Sequence, residues 1–230
     1  AVLVVGTFDT KADELNFIRD RLRSSGVEVR TVDLSTSGKP SGNDVPPHVV
    51  AAYHPLGASA VFTGDRGTAV AAMTVAFERW TAAQDRVGGM ISAAGSGGTA
   101  LASPAMRALS IGVPKIMVST VASGDVSAYV GPSDMLMMYS VTDVAGINQI
   151  SRKVLGNAAD AMAGMARAVE AEATKDVSDK PAVGLSMFGV TTPAITQMAD
   201  HLKNDWETLV FHATGTGGRS MEKLADSGLL

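Results

Sequence analysis

Short apolar runs that end in glycine-containing polar turns recur along this chain of 230 residues and constrain its fold more than any other feature. The first run, Ala1–Val5, is rich in β-branched residues, which is typical of a strand buried on both faces of a parallel sheet. Gly88–Ala94 and Leu209–Ala213 repeat the pattern, and a helix-compatible segment follows each run. Strands that alternate with helices in this way predict an α/β protein with parallel strands.

The opening of the chain forms one complete strand–helix–strand pattern. Leu15, Ile18 and Leu22 recur at helical spacing between Ala1–Val5 and a second predicted strand at Val27–Leu34. We therefore expect a Rossmann-like or flavodoxin-like parallel sheet with helices on both faces.

The same order of elements returns near the end of the chain. Ala182–Thr192 echoes the first ten residues, and a predicted helix at Ala194–Leu202 and a predicted strand at Glu207–His212 follow it. We expect residues 1–173 to form a first Rossmann-like nucleotide-binding subdomain that ends in a long helix. Residues 181–230 are expected to be the beginning of a second, truncated α/β subdomain.

Two segments between these parts are apolar. From Asp143 to Ala173 apolar residues recur every three or four positions, which predicts one helix about 45 Å long. A helix of this length could bridge two domains or pack against a second subunit. Met135–Met138 is a short apolar stretch that we interpret as a buried segment without assigning its secondary structure.

Composition excludes several classes of function. The chain has no cysteine, so disulfides, thiol nucleophiles and Cys-ligated metals are absent, and a cytoplasmic location is expected. The net charge of −4 gives no overall basic signal for nucleic acid. No apolar run approaches the roughly 18 residues of a membrane-spanning helix, so we expect no membrane partner.

The segment from Gly95 to Ala100 is the clearest candidate for a binding loop. Its letters match the dinucleotide fingerprint G-x-G-x-x-A, which requires an acidic residue about 20 positions on. The segment follows a late strand, however, and the region around Lys115–Thr120 has no carboxylate. No stretch fits the G-x-x-x-x-G-K-[ST] pattern of a P-loop. Glycines before a helix still let an anion approach free N–H groups, although they could instead serve only close helix–strand packing.

Polar side chains gather at the predicted carboxyl ends of the strands, which share one edge in a parallel sheet. Hydroxyls there, with backbone amides, could form an anion nest; they belong to Ser96, Thr99, Ser119, Thr120 and Ser123. Three aspartates on similar turns could hold Mg²⁺ through water and ligand phosphates or could simply cap helices; they are Asp9, Asp65 and Asp125.

Basic residues accompany these turns. Lys11, Arg66 and Arg219 could neutralise phosphate, or each could be a solvated surface charge. His212 could donate a proton or make a structural hydrogen bond. The histidines have no metal-ligand spacing, so we expect no resident metal.

Several of these motifs occur together in one known family. They are Gly6-Thr7-Phe8-Asp9-Thr10-Lys11, Asp65-Arg66-Gly67, Gly95–Ala100, Val118–Asp125, Met138-Tyr139-Ser140 and Phe211–Gly218. In this order, over essentially the whole chain, they resemble the ATP-binding N-terminal domain of the tomato mosaic virus resistance protein and its uncharacterised bacterial and fungal relatives. The resemblance implies two Rossmann-like subdomains, ATP bound at the glycine-rich loops, and a homodimer.

The first hypothesis is therefore a nucleotide-binding protein with a composite, glycine-rich phosphate site for ATP, with or without Mg²⁺. The candidate binding residues are Gly6, Thr7, Asp9, Thr10, Lys11, Arg66, Gly95, Ser96, Gly97, Gly98, Thr99, Ser119, Thr120, Ser123, Gly124, Asp125, Gly215, Thr216, Gly217 and Gly218.

Two alternatives stay open. In one, the same anion site belongs to an enzyme that acts on a phosphorylated or carboxylated metabolite, with Asp125, Lys11 or His212 in acid–base roles. In the other, the chain is an interaction or dimerisation module whose working surface is the long helix from Asp143 to Ala173. The sequence leaves open whether the protein is an enzyme.

Overall fold

A five-stranded parallel sheet organises the larger part of the protein in the computed structural model, which describes residues 1–172 and 180–230. The strands are β1 (Val2–Gly6), β2 (Val29–Asp33), β3 (Gly89–Ala94), β4 (Lys115–Ser119) and β5 (Leu136–Tyr139). Their order across the sheet is β2-β1-β3-β4-β5, and every neighbouring pair is parallel. This is the strand order of flavodoxin-like folds, in which the direction of winding reverses between β1 and β3.

Six helices accompany these strands along the chain. They are α1 (Phe8–Ser24), α2 (Pro47–Ala51), α3 (Arg66–Ala82), α4 (Ser96–Ala108), α5 (Ser127–Val130) and α6 (Gln149–Glu172). The expected strand–helix–strand opening is present, since α1 connects the parallel strands β1 and β2.

Apolar cores lie on both faces of the sheet because its strands are buried on both sides. On one face, α1 and α6 pack through Leu15, Ile18 and Met162 against strand residues such as Val4 and Ile91. On the other, α2, α3 and α4 pack against Leu3, Val5, Met90 and Met117, with contributions that include Val50, Met73, Phe77 and Leu101. The predicted α/β fold with helices on both faces is confirmed.

The C-terminal part contains a second, smaller parallel sheet. Strands β6 (Ala182–Met187) and β7 (Glu207–His212) pair in parallel, and helices α7 (Thr192–Leu202) and α8 (Thr216–Asp226) follow them. The described residues fall into two compact units, the first of residues 1–130 and 134–172 and the second of residues 131–133 and 180–230. In these residues, no helix is long and apolar enough to cross a membrane.

Three predicted elements differ from those observed. The long helix begins at Gln149 instead of Asp143, because Asn148 Oδ1 accepts the backbone N–H groups of Ile150 and Ser151 at 2.8 and 2.9 Å and so caps the helix. Its predicted end at Ala173 lies outside the described residues. The unassigned Met135–Met138 stretch contributes to edge strand β5, which is only partly buried.

The third difference concerns the glycine segment. Ser96, Gly97, Gly98 and Thr99 form the first turn of α4 and are not a loop, with Gly95 as the N-cap residue. The same holds near the C-terminus, where Gly215 precedes α8 and Gly217 lies in its first turn. Both glycine segments are therefore helix starts that directly follow strands.

Candidate functional site

A cleft of ≈ 630 Å³ opens at the carboxyl ends of β1 and β3, where the strand order reverses. Its volume lies within the ordinary range for small-molecule sites, and open parallel sheets bind ligands at such switch points. The lining residues are Thr7, Asp9, Thr10, Thr36, Ser37, Phe62, Gly64, Asp65, Arg66, Ala69, Val70, Gly97, Gly98 and Leu101. Six residues that the sequence marked as binding candidates are among them: Thr7, Asp9, Thr10, Arg66, Gly97 and Gly98.

The first turn of α4 forms one wall of this cleft. Thr99 N donates to Gly95 O at 2.9 Å, whereas no hydrogen bond to the N–H groups of Ser96, Gly97 or Gly98 is found within residues 1–172 and 180–230. Helix starts leave such donors free, and the helix dipole adds positive potential at the same place. This turn can therefore receive an anion from the cleft.

Arg66, the first residue of α3, provides the positive charge of the cleft lining. Its Nη2 lies 3.8 Å from the position that a Cβ on Gly97 would occupy, so the guanidinium stands beside the start of α4. In the described part of the chain it makes no hydrogen bond or ion pair. A guanidinium can bind a phosphate or carboxylate through two parallel hydrogen bonds.

Asp65, next to Arg66, caps α3. Its Oδ1 accepts the Thr68 N–H at 2.8 Å and the Thr68 hydroxyl at 2.9 Å. The Thr68 N–H, with the Thr68 hydroxyl, holds the pKa of Asp65 below its ordinary value. Asp65 therefore stays ionised in this role, and the helix-cap alternative for this residue is the one that the structure shows.

The two glycines that line the cleft have different roles. A Cβ on Gly98 would lie 2.8 Å from the Ala94 Cβ, so this glycine allows α4 to start close against β3. On Gly97 the nearest atom to a Cβ would be Arg66 Nη2 at 3.8 Å, which is an ordinary contact. Gly97 therefore leaves space in the cleft, whereas Gly98 serves packing.

Other predicted candidates are engaged in structural contacts. Thr99 and Ser119 are buried, and their hydroxyls bond to each other at 2.6 Å across α4 and β4. Lys11 donates to the Val144 carbonyl and does not line the cleft. Gly6 is buried at the end of β1, where a Cβ would lie 2.8 Å from Leu15 Cδ1.

The remaining candidates of the first unit lie near β4. Thr120 comes close to Gly95, since its Oγ1 is 3.9 Å from the position of a Cβ there. Ser123, Gly124 and Asp125 are exposed and are not among the cleft-lining residues. Asp125 Oδ1 accepts the Ser127 N–H at 2.9 Å, and this hydrogen bond lowers the pKa of Asp125.

The C-terminal candidates belong to the second unit. Gly215 has φ 73°, a left-handed conformation that suits glycine, and the first turn of α8 contains Thr216, Gly217 and Gly218. A Cβ on Gly217 would overlap the His212 carbonyl oxygen, so this glycine is required by backbone packing. The His212 ring packs on Phe188, with ring centroids 5.7 Å apart.

Thr36, Ser37 and Phe62 line the cleft but were not recognised in the sequence. The first two belong to the segment after β2, whose Gly, Pro and Ser content is typical of a surface loop and does not by itself indicate a binding site. The rule that all parallel strands end at one edge would have placed that segment beside the glycine turns. In the described ranges, 1–172 and 180–230, no three His, Asp or Glu side chains are grouped to hold a metal ion.

Comparison with known proteins places these residues in a family. Residues 1–171 match the N-terminal domain of the uncharacterised protein family UPF0261, and residues 180–230 match its C-terminal domain. A UPF0261 protein of Mesorhizobium japonicum is 52% identical over 230 residues, covering 100% of this chain and 57% of that protein.

Proteins of two further organisms are also similar to the chain. A UPF0261 protein of Clostridium tetani is 42% identical over 238 residues, which cover 100% of this chain and 57% of that protein. The ToMV resistance protein Tm-1 of Solanum lycopersicum is 42% identical over 252 residues, with 100% of this chain and 33% of that protein covered. The chain thus spans 57% of the length of these bacterial relatives. By both the domain matches and these bacterial relatives, the chain belongs to the UPF0261 family.

Proposed function

We propose that this chain binds ATP as its magnesium complex in the cleft between the ends of β1 and β3. The observation that carries the proposal is the first turn of α4, where Gly97 and Gly98 line the cleft beside Arg66 and their N–H groups have no acceptor within the described residues. The phosphates lie against this turn, where Gly97 leaves room for them. Phe62, Val70 and Leu101 supply an apolar part of the lining for the rest of the ligand.

The charges of the cleft favour a magnesium complex over free ATP. Arg66 is opposed by the carboxylates of Asp9 and Asp65, so the lining does not neutralise a triphosphate. Mg²⁺ bound to ligand phosphates commonly takes one or two further carboxylates, directly or through water. Asp9 can fill this role, because its carboxylate is exposed and has no hydrogen bond or ion pair within the described residues.

Calorimetric titration of the chain with ATP tests the proposal. We expect binding in the presence of Mg²⁺ and affinity at least about tenfold lower in excess EDTA, because the phosphate charge is then uncompensated. Arg66→Ala should weaken binding about tenfold, which corresponds to one lost charge-assisted contact. Arg79→Ala is the matched control, since Arg79 is exposed on the same helix and is not a cleft residue.

Gly97→Ala tests the position of the phosphates. The folded chain can accept this Cβ, but the added methyl group stands at the surface of the α4 turn, so ATP binding should fall while thermal stability is kept. A folded wild-type chain that does not bind ATP with Mg²⁺ would disprove the proposal.

A second candidate function is an enzyme that acts on a phosphorylated or carboxylated metabolite in the same cleft. The exposed Asp9 carboxylate favours it, since an unpaired carboxylate opposite Arg66 is suited to acid–base work. Asp125 and Lys11 do not line this cleft. Turnover of ATP or a sugar phosphate that is lost in Asp9→Asn, with ligand binding retained, would favour the enzyme over a binding protein.

We propose in addition that the protein is a cytoplasmic homodimer. Exposed apolar side chains support association: Leu136 and Tyr139 on edge strand β5 and Ile150 at the start of α6 are 48%, 43% and 37% exposed. The apolar stripe of α6 is otherwise packed on its own sheet. Sedimentation of Leu136→Lys should show a monomer, and fractionation of host cells tests the location.

A further inference from the structure

Two helix starts border the same edge of the sheet, but only one has free donors. The start of α4 leaves its first N–H groups open, as described above. At the start of α1, by contrast, Phe8 N donates to Asp33 Oδ1 at 3.2 Å and Asp9 N donates to Ser35 Oγ at 3.1 Å. Side chains from the end of β2 and the residues after it thus occupy the donors of α1.

Asp33 is the centre of this arrangement. It is 3% exposed, and Oδ1 also accepts the backbone N–H of Ser35 at 2.9 Å and the Ser35 hydroxyl. Its second oxygen accepts from Asn43 Nδ2 at 3.3 Å. No cation pairs with this carboxylate in the described residues, so its charge is stabilised by N–H and O–H donors and by the helix dipole.

We propose that Asp33 is a built-in anion that closes the start of α1 to ligand phosphate and confines the phosphate of the proposed nucleotide to the start of α4. A helix start carries about half a positive charge, so one carboxylate more than neutralises it and repels a second anion. This specificity role rests on the proposed function. In dinucleotide-binding proteins the pyrophosphate sits at the first strand–helix turn, and a carboxylate near the end of the second strand holds the ribose. Asp33 stands at the end of the second strand, like that carboxylate, but its side chain occupies the first strand–helix turn, where the pyrophosphate would sit. This arrangement excludes dinucleotides.

Two clefts border the start of α1, so closing this helix start to phosphate has an effect. A second cleft, of ≈ 320 Å³, borders the same turn and is lined in part by Arg19 and Lys39. Asp9 lines both clefts, so an anion has access to the α1 turn from two sides and finds a basic side chain in each cleft. Without the Asp33 carboxylate, the Phe8 N–H would lose its acceptor and the α1 turn would attract phosphate.

Titration of the ¹⁵N-labelled chain with inorganic phosphate, followed amide by amide, tests the assignment. In the wild type we expect phosphate to shift the resonances of Ser96, Gly97 and Gly98 and to leave Phe8 and Asp9 unchanged. In Asp33→Ala, the Phe8 and Asp9 resonances should also shift. The phosphate concentration that shifts them should be at least about tenfold lower than any concentration that shifts them in the wild type. Ser35→Ala is the control: it removes the acceptor of the Asp9 N–H but keeps the Asp33 carboxylate, so phosphate should leave the Phe8 and Asp9 resonances unchanged.

The outcomes separate the two proposals. Wild-type shifts at Phe8 and Asp9 that accompany those of Ser96–Gly98 would overturn the role of Asp33, and so would a folded Asp33→Ala chain in which Phe8 and Asp9 do not respond. If Asp33→Ala does not fold, the isosteric and neutral Asp33→Asn replaces it. We then expect smaller shifts at the same two amides. An absence of shifts at these amides would overturn the proposal. Shifts at Phe8 and Asp9 in the variant, without any at Ser96–Gly98 in the wild type, would support the role of Asp33 and refute the α4 phosphate position.

Discussion

Lys115 is fully buried in β4, and three oxygen atoms satisfy its ammonium group. Nζ donates to Ser110 O at 2.9 Å, to Val113 O at 2.7 Å and to Asp134 Oδ1 at 2.5 Å. The other Asp134 oxygen accepts the Gly112 N–H at 2.7 Å. One ion pair therefore joins the α4–β4 connection to the residues that lead into β5.

Asp134 is held in its ionised form by these contacts. Burial alone would raise its pKa, but the hydrogen bond from Lys115, the Gly112 N–H and the charge of Lys115 outweigh that effect, and the pKa lies below the ordinary value of 3.8. A carboxyl group whose folded-state pKa is depressed stabilises the fold above its unfolded-state pKa. That contribution is lost as the pH falls through the folded-state pKa.

We expect Asp134→Asn to lower the free energy of unfolding by about 2 kcal/mol at pH 7, because it leaves the buried Lys115 ammonium without its counter-charge. The loss is moderate because the Asp134 side chain is partly exposed to solvent. The gap to the wild type should narrow as the pH falls below 3.8, where the wild-type carboxylate also becomes neutral. Urea denaturation between pH 7 and pH 3 measures both effects. Asp125→Asn, on an exposed loop, is the control; an equal loss there, or a gap that does not depend on pH, would contradict the assignment.

Helix starts that follow strands depend on one glycine in each unit. In α4 this is Gly98, which packs on Ala94, and in α8 it is Gly217, which packs on the His212 carbonyl. Neither contact leaves room for a Cβ, so the glycines allow the helix to begin directly against the strand that precedes it. In α8 the neighbouring Gly218 has nothing within 4 Å of a Cβ position.

Gly217→Ala should therefore destabilise the second unit by at least about 2 kcal/mol, because a backbone carbonyl lies in the position of the new methyl group. Gly218→Ala is the matched control and should be neutral or slightly stabilising, since alanine favours helices over glycine. Amide hydrogen exchange in β7 reports the effect within the second unit. Equal exchange in the two variants would show that the helix start adjusts at no cost.

The two units of the protein differ in how much apolar surface they bury. The first has two extensive cores, one on each face of its sheet. In residues 180–230, Leu185 is the one buried apolar side chain, at 8% exposure. Two strands with two helices provide little core, and a two-stranded sheet is marginally stable at best.

We expect the units to open with different free energies in the same chain. Amides of β1, β3 and β4 should exchange at least about a hundredfold more slowly than those of β6 and β7, because exchange protection follows the burial of the element. Mass-spectrometric hydrogen exchange on the intact chain measures both sets together. Equal protection would mean that the two units unfold as one cooperative body.

Local patterns in the sequence were sufficient for the fold class. The run Ala1–Val5 predicted a buried strand, and the spacing of Leu15, Ile18 and Leu22 predicted its helix, because burial and periodicity act within a few residues. The same patterns also located the α4 and α8 turns. They predicted loops where helices begin, since glycine in a first turn resembles glycine in a loop.

The candidate site was only partly predictable, because contacts between distant residues decide which polar groups face the cleft. Neither the pairing of Thr99 with Ser119 nor the contact of Lys11 with Val144, 133 positions away, has any local signature. What the residues alone determined is an α/β chain with glycine-containing turns at strand ends. Tertiary packing decided the β2-β1-β3-β4-β5 order, because strand order follows from which apolar faces bury one another. That order also decided the position of the cleft at which α4, Arg66 and Asp9 meet.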